Sequence, residues 1–422
     1  MKKKTYPLFR ALIVSIVLVV SGAMVTSCNN DSSDENVTYD IPHVNINTSG
    51  GAEIESKEDY VGMTATISYG SKDVQIETSG KIRGRGHSTW DFEKKPYKLK
   101  FDGKQSPFGF PANRDWVLLA DYNDRSLLRT AYMAELSKAA NLDFTIHYQH
   151  VHLYLNDEYQ GVYLFTDHIE KAKDRVNIED DGYLMKYDGY YLESPVYLIT
   201  ESERRVYTFK YPDGDDGGIV EGDENFEFIQ DYIDSMESAL YLLEDEPDNT
   251  EYLKYIDPVS FARWYLVAEM MAVVDVNQYL VLPSKASTLK TYPIWDAEWS
   301  LGLWPSDAFG WTPESLETES RWVENGYFEY LFLSNKFRDV VVEEWNKMKV
   351  QIPTIRYTVQ KVADSITKAQ YKNFDLWPDS GKLLGNVYFD TWQDEVDYVN
   401  DFYQKRAEWL DGFISQTVST HR

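Results

Sequence analysis

Cysteine is nearly absent from this chain of 422 residues, in which Cys28 is the only one. A single cysteine cannot form an internal disulfide, so the fold does without this cross-link. The sequence also lacks a G-x-S-x-G nucleophile elbow and a pair of histidines at zinc-binding spacing. These absences argue against a nucleophilic hydrolase.

Basic residues are scarce, because 42 Lys and Arg face 69 Asp and Glu, for a net charge of -27. Nucleic-acid binding needs a basic surface, so we expect no nucleic-acid partner. An acidic surface also repels anionic membranes. The hydrophobic share of 43% and the charged share of 26% are typical of a globular protein with a large core.

The sequence has no hydrophobic run as long as a membrane-spanning helix. Its apolar run at residues 12–20 follows a basic segment and is too short to span a membrane. The segment VTSC, residues 25–28, comes shortly after this run and resembles a lipobox. We predict a lipoprotein signal peptide at residues 1–27 and a flexible acidic tether at residues 28–39. Lipidation of Cys28 would place the protein in the bacterial cell envelope, at the outer membrane or cell surface, with the lipid as its only membrane contact. The alternative is an ordinary membrane anchor with a chance cysteine.

The order of the secondary-structure patterns predicts an α+β protein. Residues 40–212 show the alternation typical of strands, including a hairpin at 151–165, whereas residues 225–415 are mostly helical. Helices with one apolar face are predicted at 225–243, from 258 onward, and at 336–348, 352–368 and 392–414. We expect one domain over residues 40–415, with a cleft between its β-rich and α-rich parts.

Oxygen-bearing side chains are concentrated in the stretch 275–304, which holds Asp275, Asn277, Asp296 and Glu298. The apolar segments 279–282 and 293–295 predict a buried hairpin. Asp275 and Asn277 would lie at one end of it, and Asp296 and Glu298 at the other. Carboxylates at the end of a buried strand are costly to desolvate unless they hold a cation or a hydrogen-bond network. Oxygen atoms are the ligands that Mg²⁺ prefers. The stretch therefore predicts a magnesium site, with carboxylates hydrogen-bonded to the backbone as the alternative.

Residues 81–104 form a basic segment in this acidic chain, with eight bases and three acids. Arg83 and Arg85 alternate with glycines, which let a backbone approach a ligand closely, and arginine binds phosphate oxygens in a bidentate manner. Lys98 lies on a predicted strand from which it could hold a nucleotide phosphate. The alternative is an exposed strand edge that carries lysines against aggregation.

A further helix is predicted at residues 126–140, with Asp124 as its N-cap. Arg129 and Glu135 lie off the apolar stripe of this helix. Each is interpreted either as solvated surface or as a polar contact to a ligand.

Five segments resemble, in order, the motifs of the CotH kinase family, named for spore coat protein H. They are KIRGRGHSTWDFEKKPYKLKF, WVLLADYNDRSLLRTAYMAELSKA, VHLYLNDEYQGVYLFTDHIE, PIWDAEWSLG and VNDFYQKRAEWLDGFI. The second contains an Asp-x-Ser-x-x-Arg core formed by Asp124, Ser126 and Arg129. Together the segments span about residues 40–415, so the chain is identified as a member of this family. The family's fold is similar to that of an atypical, two-lobed protein kinase.

The resemblance implies that ATP and Mg²⁺ bind between two lobes. Asp275 matches the candidate catalytic Asp, and Asp296 matches the metal-binding Asp that follows Pro-Trp. The further metal ligands that the resemblance implies are Asn277 and Glu298. The implied ATP-binding residues are Arg83, Arg85, Lys98 and Glu135, with Glu135 as the ion-pair partner of Lys98.

Three positions differ from the family's pattern. Glu298 stands where the family has a second Asp, His87 replaces the Asn of an Arg-Gly-Asn-Ser segment, and Lys186 stands where related sequences have Glu.

The resemblance implies a kinase that transfers phosphate from ATP to Ser or Thr of secreted or surface proteins, with Mg²⁺ as cofactor. The alternative is a non-catalytic surface lipoprotein that binds a glycan, a protein or a host ligand on the same fold. In that case the aromatic residues of the segment 304–322 could stack on sugar rings. The alternative, which we favour, is that these rings anchor the core or the loops.

Overall fold

The computed structural model describes residues 41–69, 73–214, 217–275, 277–296, 298–305, 311–383 and 385–420, without the side chain of Asn277. These residues fall in one compact unit, Tyr39–Arg422. The predicted signal peptide and tether, including Cys28, lie outside the described residues. In the part of the chain that is described, no helix is both long and apolar enough to cross a membrane.

The N-terminal strands close into a barrel, in the order β1-β2-β3-β4-β5-β7-β6. They are β1 (His43–Thr48), β2 (Val61–Tyr69), β3 (Asp73–Gly84), β4 (Tyr97–Gln105), β5 (Asn113–Leu119), β6 (Tyr148–Leu155) and β7 (Glu158–Asp167). Neighbouring strands are antiparallel except β1 and β6, whose parallel pairing closes the barrel. Alternate side chains point inward, so Leu99, Trp116 and Phe165 are buried in the barrel core. The predicted hairpin of β6 and β7 is confirmed, with a two-residue turn at Asn156 and Asp157, both at positive φ.

The basic segment had an alternative explanation, in which its lysines protect an exposed strand edge. In the closed barrel this strand, β4, is not at an edge. Lys98 of β4 pairs with Arg83 of β3 on one side and with Val117 of β5 on the other. The interpretation of β4 as an exposed edge is therefore wrong. The lysines of β4 lie on the outer wall of the barrel because Tyr97, with its neighbours at alternate positions, fills the inside.

A second, five-stranded sheet has the order β12-β11-β8-β10-β9. Its strands are β8 (Tyr183–Tyr187), β9 (Tyr197–Ile199), β10 (Val206–Tyr211), β11 (Asn277–Leu282) and β12 (Lys290–Trp295). The predicted hairpin of β11 and β12 is confirmed, and Asn277 is opposite Trp295 in its register. We expected Asp275 and Asn277 at one end of the hairpin and Asp296 and Glu298 at the other. This expectation is wrong, because the chain enters β11 and leaves β12 at the same open end. Asp275 and Asp296 therefore emerge side by side.

The C-terminal part is helical, and the predicted α+β organisation is confirmed. The helices are α1 (Arg129–Ala139), α2 (Glu224–Asp245), α3 (Pro258–Met271), α4 (Pro313–Thr318), α5 (Phe328–Leu331), α6 (Asn335–Met348), α7 (Ile352–Ile366), α8 (Ala369–Leu376) and α9 (Trp392–Phe413). Helix α3 is the buried central helix, packed on β12, α1, α6 and α9. It begins at an N-cap, Asp257, whose side chain accepts hydrogen bonds from the N–H groups of Val259 and Ser260.

Helix α1 begins at Arg129 and not at the predicted Ser126. Leu127 has φ +61°, a left-handed conformation that a right-handed helix does not accept. The Asp124 carboxylate accepts the N–H groups of Ser126 and Arg129, so it orders the turn before the helix and is not its N-cap.

Candidate active site

Asp275 and Asp296 form the acidic side of the site, at the open end of the β11–β12 hairpin. Desolvation and the nearby negative charge of Asp296 raise the pKa of Asp275, whereas the charge of Lys186 lowers it. Asp296 has φ +64°, in the left-handed region that Asp tolerates better than most residues. A carboxyl with a raised pKa beside a second carboxylate is typical of catalytic and metal-binding positions.

Arg85 brings a positive charge to this acidic pair from the barrel side. Its guanidinium lies 5.6 Å from the centroid of the Trp295 ring. Burial lowers the pKa of Arg85, and the negative charges of Asp296 and Glu298 act against this shift. The glycine after it, Gly86, has φ +88°, so the tight turn that presents Arg85 requires a residue without a side chain.

Lys98 lies on the outer wall of the barrel beside a half-buried imidazole. Its Nζ is 2.9 Å from Nε2 of His168 and 3.6 Å from Oδ1 of Asp115. Burial lowers the pKa of His168 well below its usual value, and the charges of the cations around it, Lys98, Arg175, Arg85 and Lys210, lower it further. His168 is therefore neutral at pH 7. The positive charges of Lys98 and Arg85 both act on His168, so an anion would be favoured beside it.

Two predicted ATP-binding residues are engaged elsewhere. Arg83 donates a hydrogen bond to the carbonyl of Lys57 and lies 3.5 Å from the carboxylate of Glu58, before strand β2. Glu135 accepts hydrogen bonds from Lys138 Nζ at 2.7 Å and from Tyr148 Oη at 2.9 Å.

The predicted ion pair between Lys98 and Glu135 is therefore wrong. Helix α1 presents Glu135 to β6, whereas Lys98 faces Asp115 of β5 and His168, which follows β7. The ion pair was predicted by analogy with protein kinases, in which a helix packs against the strand that carries the lysine. In this protein α1 does not present Glu135 to β4.

Lys94 is a buried cation that sequence reasoning did not single out. Its Nζ donates hydrogen bonds to the carbonyls of Ala120, at 2.6 Å, and Val162, at 2.5 Å. Burial lowers its pKa to about 7, and the charges of Asp121 and Glu298 oppose this shift. The signal in the sequence was the Lys94-Lys95 pair just before β4, but a polar residue in a loop gives no indication of burial.

Glu298 points away from the hairpin end and into the loop between β5 and α1. Nδ2 of Asn123 donates a hydrogen bond to Oε2 of Glu298 at 3.4 Å, and the charge of Asp121 acts on the same carboxyl group. Burial and the charge of Asp124 raise the pKa of Asp121 to about 6, whereas Lys94 lowers it. Burial, with the charges of Asp121 and Asp296, raises the pKa of Glu298 well above its usual value. Each of these two carboxyl groups therefore holds a proton more strongly than an ordinary carboxyl group does, because both are desolvated and both feel neighbouring negative charges.

The positions that differ from the family's pattern lie around the opening of this site. The ring centroids of His87 and Tyr190 are 3.5 Å apart, and Nδ1 of His87 lies 3.7 Å from the carboxylate of Glu193. Lys186 Nζ lies 3.3 Å from Oδ2 of Asp188. His87 thus connects the arginine–glycine loop to the loop between β8 and β9.

The described residues contain no group of three His, Cys, Asp or Glu side chains that could hold a metal ion. The charge of Asp296 acts on Glu298, but the Glu298 carboxylate accepts a hydrogen bond from Asn123. The side chain of Asn277, the other predicted ligand, lies outside the described residues.

Residues 82–410 match the family model described as CotH kinase protein. The match begins in β3, ends in α9 and includes every residue of the site, so the chain belongs to the CotH kinase protein family. No curated protein matches the chain.

Proposed function

We propose that this protein is a magnesium-dependent phosphotransferase that moves the γ-phosphoryl group of ATP to Ser or Thr of secreted or surface proteins. The observation that carries the proposal is the position of Arg85, whose guanidinium lies 5.6 Å from the centroid of the Trp295 ring, next to Asp296. Its charge acts on Asp296 and Glu298 on one side and on His168, the partner of Lys98, on the other. Phosphoryl transfer needs this combination of carboxylates and cations, because catalysis rests on positioning and charge stabilisation. Family membership supports it.

In this proposal the barrel and the helical part act as the two lobes of a kinase-like fold. Asp275 orients the acceptor hydroxyl and accepts its proton while the hydroxyl oxygen attacks the γ-phosphorus and ADP leaves. Asp296, with Asn277 and Glu298, would hold Mg²⁺, which neutralises charge on the phosphates. Arg85 and Lys98 bind phosphate oxygens. The pKa of Asp275 is raised above that of an ordinary Asp. A carboxylate with a higher pKa is a better proton acceptor near neutral pH.

The donor set fits a hard cation. Asp296, Asn277 and Glu298 all offer oxygen atoms as ligands. Mg²⁺ and Mn²⁺ are the ions that carboxylate and amide oxygens suit.

A non-catalytic binding protein is the second candidate function. A cavity of about 580 Å³ is lined by Trp311, Trp322 and Phe413, with Arg321 and Ser320 among its polar residues. Aromatic faces with a few polar groups suit a sugar ring or a peptide side chain. In this reading the protein binds a glycan, a protein or a host ligand at the cell surface. For both functions we propose a lipid anchor at Cys28 in the bacterial cell envelope.

Nucleotide binding by the full-length protein in mild detergent tests the proposal. Thermal shift and calorimetry with ATP, with and without Mg²⁺, should show metal-dependent binding that Asp296→Ala abolishes. Asp275→Ala should keep this binding but lose transfer of label from γ-labelled ATP to generic Ser- and Thr-containing acceptors. Asp379→Ala, at an exposed carboxylate that lies 3.2 Å from Nζ of Lys382, is the matched control.

Absence of Mg²⁺-ATP binding in the wild type would refute the kinase proposal and favour the binding protein. Binding that survives Asp296→Ala would refute the role given to Asp296.

A further inference from the structure

A row of half-buried tryptophan rings, the tryptophan track, leads away from the candidate active site. Trp299 comes three residues after Asp296, and its ring centroid lies 5.1 Å from that of Trp304. The Trp304 centroid in turn lies 6.2 Å from that of Trp311, which lines the cavity of about 580 Å³. Edge-to-face contacts at these distances hold the rings in a fixed arrangement, so the track connects the segment after Asp296 with the cavity.

The same cavity reaches the proposed catalytic carboxylate from the chain that enters β11. Val273 and Val274 line it, and Asp275 is the next residue. The N–H of Val274 donates a hydrogen bond to the carbonyl of Trp299 at 3.1 Å, so these two segments lie side by side. Because consecutive Cα atoms are about 3.8 Å apart, a peptide bound at Asp275 reaches the cavity within a few residues.

One wall of the cavity is held in place by a buried carboxylate. Glu269 accepts hydrogen bonds from Ser320 Oγ, at 3.0 Å, and from the N–H groups of Arg321, at 2.7 Å, and Trp322, at 3.0 Å. Arg406 of α9 forms an ion pair with Glu269, and both side chains are fully buried. Since Ser320, Arg321 and Trp322 all line the cavity, this wall has its shape before a ligand binds.

The charges around the cavity favour a neutral occupant. Arg321 Nη2 lies 3.0 Å from Oε2 of Glu319, so the charge of this lining residue is matched. Glu324, an exposed carboxylate, lies on the lining as well. An acidic ligand would meet Glu324 and a basic one would meet Arg321, whereas an uncharged group meets neither penalty.

The lining selects an aromatic group that carries an oxygen atom. Trp311 and Phe413 bring aromatic rings to the cavity, and its valines add apolar surface. Nε of Arg321 and Nε1 of Trp322 are buried and have no hydrogen-bond partner among the described residues. Because an unpaired buried donor is costly, an occupant with an acceptor oxygen is favoured over a hydrocarbon. The tyrosine side chain combines a ring with such an oxygen.

We propose that this cavity binds a tyrosine side chain of a protein partner, which in the proposed function is the phosphate acceptor. The Ser or Thr hydroxyl would lie at Asp275, with the tyrosine a few residues away and the tryptophan track beneath the chain between them. The substrate class is therefore a segment with Ser or Thr and a nearby tyrosine. The proposal rests on the proposed function for the phosphorylation of that segment, but binding of the tyrosine needs neither nucleotide nor Mg²⁺.

Binding is measured by saturation-transfer NMR on full-length protein in mild detergent, without nucleotide. The probes are short peptides of Gly and Ala with a central Ser and one Tyr a few positions to either side, and the same peptides with Phe, Glu or Ala in place of Tyr. The best Tyr peptide should bind at least about tenfold more tightly than its Ala counterpart. Phe should rank between Tyr and Ala, and Glu should bind no better than Ala. Methyl β-glucoside is the probe for a sugar.

Asn325→Trp tests where the tyrosine binds, because Asn325 is an exposed residue of the lining and a large side chain there fills the cavity from its rim. The preference for Tyr over Ala should fall to about onefold. Thr354→Trp, at an exposed position of α7, is the matched control and should keep the preference. Trp311→Ala should weaken binding of the Tyr peptide by about tenfold, with Tyr371→Ala, exposed on α8, as its control. If Trp311→Ala does not fold, Asn325→Trp carries the comparison.

Binding and phosphoryl transfer separate this proposal from the proposed function. Transfer of label from γ-labelled ATP should favour the Tyr peptides by a similar factor in kcat/KM. Tyr binding that Asn325→Trp removes supports the cavity as the tyrosine site, and absence of transfer to the bound peptide then counts against the phosphotransferase alone. Equal affinity of Tyr and Ala peptides, a Tyr preference that survives Asn325→Trp, or binding of methyl β-glucoside in place of the peptides overturns the proposal.

Discussion

Arg129 Nη1 lies 2.5 Å from Oδ1 of Asp124, and both side chains are buried. The same guanidinium donates to the carbonyls of Ser300, at 2.8 Å, and Leu301, at 3.3 Å. The pair therefore ties the loop that carries Asp121 to the chain that follows Glu298. Sequence reasoning left Arg129 open between solvated surface and ligand contact, but its role here is to connect two segments of the site.

Breaking this pair should destabilise the protein strongly. Arg129→Met leaves the buried carboxylate of Asp124 without its cation, and we expect a loss of about 3–5 kcal/mol in the free energy of unfolding. Urea denaturation followed by circular dichroism measures it. Lys254→Met, which removes an exposed ion pair with Glu251, is the control and should have little effect. A similarly small loss for Arg129→Met would show that the pair does not hold the loop.

Arg83, near the end of β3, and Arg85, in the loop after it, should differ in their effect on nucleotide binding. Arg85→Ala should weaken the affinity for Mg²⁺-ATP by about 10- to 100-fold, because a hydrogen bond to a charged group contributes about 1.5–3 kcal/mol. Arg83→Ala should leave it nearly unchanged, since Arg83 bonds with Lys57. Calorimetry of both variants tests the distinction. Equal losses would mean that Arg83 leaves its partner when nucleotide binds.

A methyl group at Gly86 should disturb the position of Arg85. Gly86 has φ +88°, and a Cβ there would overlap the hydroxyl of Thr89. We expect Gly86→Ala to weaken Mg²⁺-ATP binding. Gly222→Ala is the matched control, because Gly222 has φ +81° but open space around its Cβ position. Both variants pay the backbone strain, so an equal change in ATP affinity would show that the turn at Gly86 does not position Arg85.

Stability should depend on pH through Glu395. Burial raises its pKa from 4.5 to about 7, against a hydrogen bond from the N–H of Phe389. Between these values the folded state holds a proton that the unfolded state has lost, so the contribution of Glu395 to stability decreases as pH rises from about 4.5 to 7. Glu395→Gln keeps the acceptor oxygen and removes the ionisation.

The gain in unfolding free energy of Glu395→Gln over the wild type should therefore grow from pH 5 to pH 7.5 and then level off. Urea denaturation of both proteins at several pH values measures it. A gain that is constant over this range would show that Glu395 titrates alike in both states.

Local patterns were sufficient for most of the elements. The alternation of Tyr97, Leu99 and Phe101 identified β4, and the pair Asn156-Asp157 identified a hairpin turn, because both signals lie within a few residues of each other. The predicted start of α1 was wrong because the Asp124 carboxylate accepts N–H groups in a way that fits a turn as well as a helix N-terminus. The same chemistry serves both conformations, so the pattern does not separate them.

Within the candidate site, the motifs predicted Asp275, Asp296 and Arg85, and the structure places Asp296 near Asp275 and near Arg85. The pairing of Lys98 with Glu135 could not be tested on the sequence, because it depends on which strand packs against α1. Lys94 and Asp121 were missed because burial of a charged residue has no signature in composition or spacing.

The sequence by itself determined the family, the α+β order of the chain and the hairpin that presents Asp275 and Asp296. These follow from local periodicity and from short motifs, whose physical causes act over a few residues. The tertiary structure decided that the β-rich part closes into a barrel, that Lys94 is buried, and that Asn123 meets Glu298 from 175 positions away along the chain. Such contacts depend on how strands and helices pack, and packing is set by the shape and burial of the whole chain rather than by any one segment.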